Sequence, residues 1–73
     1  MNEQFRNSAI HTLAEILCDH GRSTILRRSI REAIAAFAMH STSEECIYRL
    51  NAIEFDMLTT NEKSVVCALI KGC

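Results

Sequence analysis

The sequence predicts an all-α fold, a small bundle of three to four helices completed by homodimerisation, and three features lead there. Apolar residues recur at the three- and four-residue spacing of helices along most of the chain. Ser and Thr residues stand as caps ahead of those runs. No stretch of convincing length alternates apolar with polar residues, and there is no proline. The apolar content, 48% of the chain with only 5% aromatic, is aliphatic, which suits helices packed through continuous stripes. Dimerisation is expected from size, because 73 residues lie near the lower limit at which one core holds without disulfides, metal or a partner chain. Residues 1–73 read as a single helical domain with no linker or repeat.

The first helix is predicted from about Asn2 to His20, with Ala9, Ile10, Leu13, Ile16 and Leu17 on its core face. Gly21 is expected to end it in a left-handed conformation, and His20 suits the negative end of the helix dipole. Ser23 caps the second helix, whose core stripe is Leu26, Ile30, Ala33, Ile34 and Phe37. Its opposite face carries Arg27, Arg28, Arg31 and Glu32. Thr42 and Glu45 have capping-box spacing for a third helix lined by Cys46, Leu50, Ile53 and Met57. Thr59 and Glu62 repeat that spacing for a fourth, opening near Thr60, with Val65, Val66, Leu69 and Ile70 as its apolar face and Gly72 as its stop. The residues assigned to the core or to a dimer interface are Leu13, Ile16, Leu17, Ile30, Ile34, Phe37, Leu50 and Ile53.

A formal net charge of −1 argues against wholesale nucleic-acid binding, whose usual footprint is a strongly basic domain. The start "MNEQFRNSAI" lacks the charged-then-apolar build of a signal peptide, and no apolar run approaches the roughly 18 residues that span a bilayer. The expectation is a cytoplasmic protein without a membrane partner. In that compartment the four cysteines read as small apolar residues or free thiols. Cys46 and Cys67 are assigned to the core, Cys18 to a packed position, and Cys73 to an exposed, reactive thiol. Cys18, His20, His11 and His40 lack the close, fixed pairing of metal ligands, so neither metal nor cofactor is expected.

Catalysis is not expected either. Cys18, Asp19 and His20 are close in sequence, but neighbours at a helix end point to different faces, whereas a nucleophile needs its base and orienting group gathered around it. With only Gly21 and Gly72, there is no glycine-rich phosphate loop.

The feature that asks for a function is basic. Arg22, Arg27, Arg28 and Arg31 make up half of the eight Lys and Arg residues, and most lie in the first two turns of the second helix, where the macrodipole disfavours cations. Helix stability did not place them there. They are assigned to partner binding, by docking on an acidic protein face or, less favoured, by holding nucleic-acid phosphates. The bland alternative is a solvated face partly neutralised by Glu32, by Glu44 and Glu45, or by Glu54 and Asp56 of another chain.

Two resemblances bear on this choice. "LTTNEKSVVCALIKG" looks like the opening helix of the helix-turn-helix in LuxR-type response regulators, with Leu58, Thr59, Glu62, Val66, Leu69 and Gly72 at matching places. That reading would require a following recognition helix to enter the major groove, where this sequence ends at Cys73. The stretch "LAEILCDHGRSTILRRSIREAIAAFAMHSTSEECIYRLNAIEFDML", residues 13–58, resembles the small biofilm-development and two-component connector proteins of enteric bacteria, the AriR and YcgZ group. The shared features are an amphipathic helix ending at Gly21, a basic lead into Ser29 and Ile30, "HSTSEE" as a turn, and Asn51, Ala52 and Ile53 within a third helix. The helix from about Thr60 is extra, and the turn into the second helix is a residue longer. The resemblance implies a small helical protein that dimerises and contacts sensor kinases or response regulators, with no catalytic residues. A phage-encoded inhibitor of a host protein would present the same kind of sequence.

Overall fold

A computed structural model describes residues 1–73 and contains four α-helices: α1 (Glu3–Leu17), α2 (Thr24–Ala38), α3 (Ser43–Asn51) and α4 (Thr60–Gly72). A single 3-10 turn, Phe55–Met57, joins the last two, and there is no strand. Side-chain acceptors open all four helices: Asn2 takes the Phe5 amide at 2.7 Å, and Ser23, Thr42 and Thr59 take the amides of Leu26, Glu45 and Glu62, each at 3.1 Å. Only at α4 is the capping box reciprocal, with Glu62 accepting the Thr59 amide at 2.9 Å. Glu45, expected to do the same for α3, is drawn instead to Arg49 one turn on, at 3.0 Å.

The helices close around fourteen buried apolar residues. α2 is the central element, with Leu26, Ile30, Ala33 and Phe37 turned inward and almost wholly covered. Ala9, Leu13 and Ile16 of α1 and Cys46 and Leu50 of α3 belong to helices packed directly on α2, Val66 and Leu69 belong to α4, which packs on α3 and α1, and Ile53 and Leu58 close the link between. Phe5 sets its ring edge against Phe37, with centroids 6.4 Å apart. The radius of gyration, 11.1 Å, equals the ~11 Å expected of a folded monomer of this length, so one chain encloses its own core.

The assigned core residues Leu13, Ile16, Ile30, Phe37, Leu50 and Ile53 are buried, while Leu17 and Ile34 are half-buried at its edge. Several sequence expectations are corrected. α1 ends at Leu17, short of His20, and Gly21 does not take the left-handed conformation. The turn is held instead by the Asp19 carboxylate, which accepts the Gly21 amide at 3.0 Å. The left-handed residue is His40 (φ 58°), which ends α2: its amide reaches the Phe37 carbonyl at 3.2 Å, and the Ser41 amide reaches Ala36 at 3.0 Å. Cys67 is exposed, because Val66 and Leu69 define the inner side of α4 and the next residue turns away. Cys18 is exposed too, whereas Cys73 is half-buried against the core, where burial and the nearby Cys46 raise its thiol pKa. Met57 is exposed rather than lining α3. Gly72 is the last residue of α4, at the stop expected from the sequence, and its missing side chain leaves room for the Phe5 ring, which an added Cβ would approach to 2.5 Å.

The buried polar residue is Arg6, which donates to the Phe37 carbonyl at 3.4 Å, at the negative end of α2. Its Nε is 3.7 Å from Glu3, too far for a hydrogen bond.

Two substitutions test this architecture by chemical denaturation. Phe37→Ala removes a fully covered ring from the centre and is expected to cost about 3 to 5 kcal/mol; full stability would place the core elsewhere. His40→Gly relieves a left-handed histidine and is expected to add about 0.5 to 1 kcal/mol.

Candidate partner-binding face

The turn between α1 and α2 delivers Arg22 just ahead of the Ser23 cap, and the remaining arginines follow on the first two turns of α2. The structure does not treat the four alike. Arg22 leans across to the start of α4, where its Nη2 donates to both Glu62 oxygens at 2.8 and 2.7 Å, and its Nε donates to Asp19 at 3.0 Å. Both members of the Arg22–Glu62 pair are largely covered, with side-chain exposures of 18% and 20%. This is a clamp between two helix starts, and Arg22 is committed to it.

The charges in the clamp are tuned accordingly. The Gly21 amide, then Arg22, hold the Asp19 carboxyl below its ordinary value. Burial pushes the Glu62 carboxyl up, but the hydrogen bonds from Arg22 and from the Thr59 amide outweigh that and leave it lowered. Hydrogen bonds to Glu62 and Asp19 raise Arg22.

Arg27 is half-buried, with Nη2 3.5 Å from His20 Nδ1 and a covered Nε that has no hydrogen-bond partner. Arg28 and Arg31 are exposed and form no ion pair. Of the acidic residues that a solvated face would offer them, Glu32, Glu45 and Glu54 are engaged elsewhere, while Glu44 and Asp56 are exposed and pair with no arginine. Glu32 and Glu45 both face Arg49, at 3.5 and 3.0 Å, and Glu54 accepts from Ser29 at 2.6 Å. The free part of the basic cluster is therefore Arg27, Arg28 and Arg31, on the outside of a helix whose inside is packed.

Beside it lies a groove of about 520 Å³ between α2 and α3, lined by Ala35, Ala36 and Met39 with Glu32, Glu45 and Arg49 at its rim. Tyr48 stands exposed next to it, with the Arg49 guanidinium 5.6 Å from its ring centre. The one signal of this groove in the sequence is Met39, apolar and out of phase with the core stripe. The pairing of Arg22 with Glu62, forty residues away, had no local signal. The structure gathers no set of three or more His, Cys, Asp or Glu side chains fit to hold a metal ion. No helix is long and apolar enough to cross a membrane.

No family model matches the chain, and neither the curated proteins nor the solved structures yield a significant match.

The clamp makes an acid-sensitive prediction. A carboxyl whose folded pKa is lowered stabilises the fold above its unfolded value of 4.5 and loses that contribution as the pH falls through the folded value. Glu62→Gln keeps an acceptor for the Thr59 amide but removes the charge facing Arg22. The variant is expected to lose about 1 to 2 kcal/mol at neutral pH, a figure discounted for partial exposure. Below pH 4.5 its stability should converge on that of the unsubstituted protein, as followed by denaturation across the acid range. Equal stability at neutral pH would show that the pair contributes nothing.

Proposed function

We propose that the chain is a small, non-enzymatic regulatory protein of the cytoplasm that acts through protein–protein contacts, as a connector or modulator of a two-component, stress or biofilm response. The observation that carries this reading is the set of arginines left unmatched on the outer face of α2: Arg28 and Arg31 in no ion pair, and Arg27 only partly satisfied. Unpaired cations near the positive end of a helix gain from an acidic surface brought to them. A sensor kinase or response regulator is the class of partner implied by the resemblance over residues 13–58, and homodimerisation belongs to the same reading.

The near-neutral charge supports a protein partner over nucleic acid. So does the engagement of Arg22 by Glu62, which reduces the free cluster to three cations where a phosphate-binding face would need more.

The test is an affinity capture from bacterial lysate with nuclease added, at low and at about 0.5 M salt, with Arg27→Glu/Arg31→Glu alongside. A single kinase or regulator recovered in near-equal amount, and lost to the double variant while helicity is intact, is the expected result. Recovery of nucleic acid only when nuclease is omitted would replace this reading with phosphate binding. Capture unchanged by the double variant would remove the arginines from the partner face.

A further inference from the structure

α2 carries a second stripe that the core does not use. Ile25, Arg28, Glu32, Ala35 and Met39 follow one another at three, four, three and four residues, the spacing of the contact seam of a coiled coil, and all five are exposed. Ile25 and Met39 are 60% and 77% exposed, among the large apolar side chains that this fold leaves in water. The stripe is apolar at both ends and charged in the middle, with Arg28 and Glu32 one turn apart.

We infer that this stripe is the homodimer face, and that two copies pack α2 against α2 in antiparallel fashion, with Arg28 of each copy opposite Glu32 of the other. The inference rests on the homodimer in the reading above and gives it a face and a register. Symmetry and charge decide between arrangements. In a parallel pair each residue meets its own copy, so Arg28 faces Arg28 and Glu32 faces Glu32, which is repulsive twice over. In an antiparallel two-fold pair, residue i meets residue j and j meets i, so a single register sets both Arg28–Glu32 pairs at once. The same register sets Ile25 of each copy opposite Ala35 of the other. A methyl group stands there, at the mouth of the groove between α2 and α3, and offers an apolar recess to an incoming isoleucine. Glu32 is equipped for the contact. Its Oε1 faces Arg49 at 3.5 Å, which leaves Oε2 for the second chain. Arg28 is thereby assigned to self-association, and Arg27 and Arg31 remain for the partner.

Charge reversal with rescue tests the register by sedimentation equilibrium, with helicity checked by circular dichroism. Arg28→Glu alone sets four carboxylates at the seam, and Glu32→Arg alone sets four guanidinium groups there. Each is expected to weaken the dimer by at least about tenfold, and Arg28→Glu with Glu32→Arg together to restore it to within about threefold. Rescue by the double reversal also excludes misfolding as the cause of the single losses. A wild-type chain that sediments as a monomer at about 0.2 mM, well above the concentrations at which specific dimers form, would overturn the inference. So would a dimer indifferent to both single reversals, or a double reversal as weak as either. The variant Arg27→Glu/Arg31→Glu leaves the stripe intact, so loss of partner capture and loss of the dimer are separately readable.

Discussion

The inner stripe of α2 is the constraint on which the rest of this fold depends. Leu26, Ile30, Ala33 and Phe37 are almost fully covered: α1 and α3 pack directly on α2, and α4 closes the core from the far side by packing on α3 and α1. A chain of this size has no second core to fall back on. Fixing α2 by its inside also fixes what its outside presents, since each outward residue is set by its angle from that stripe. The cations at its start and the seam from Ile25 to Met39 are rigid surface features because the opposite side of the same helix is locked.

The clamp at the start of α2 sorts the basic cluster in space. Arg22 sits nearest the positive end of the helix, where a cation is least welcome, and two carboxylates meet it there. One of them, Glu62, also caps α4, so a single side chain ties the α1–α2 turn to the last helix. The arginines further along have no such compensation. What distinguishes Arg28 and Arg31 from Arg22 is therefore not their residue type or spacing but the absence of a second element reaching over them.

Local chemistry was legible in the sequence, and long-range pairing was not. Ser23, Thr42 and Thr59 could be placed as caps because a cap is decided within four residues. The stripe of α2 was equally plain, since its phase is repeated over four turns. Gly21 misled because glycine serves turns of either hand, and here the Asp19 side chain makes a turn that needs no positive φ. At the end of α2 the left-handed position fell to His40, which no composition rule singles out. Cys46 is in the core as expected because it lies in phase with Leu50, whereas Cys67 lies one step past Val66 and faces out. Arg22 was counted with its neighbours because the glutamate that engages it is forty residues away.

The cost of the outer face of α2 is itself informative. Two exposed arginines in its first two turns, an isoleucine and a methionine in water, and a glutamate shared loosely with Arg49 are all suboptimal for an isolated helix surface. Most become favourable once something is set against them: carboxylates opposite the arginines, and Ala35 of the second copy opposite Ile25. The seam residues complement their own copy, with one basic and one acidic residue symmetrically placed, whereas Arg27 and Arg31 lie off to one side with no acidic counterpart on this chain's α2. A surface that is self-complementary along one line and uniformly basic beside it suits two different contacts at once. The first is with a copy of itself and the second with an acidic protein, so the proposed dimer would carry two basic edges, one from each α2, related by the two-fold axis.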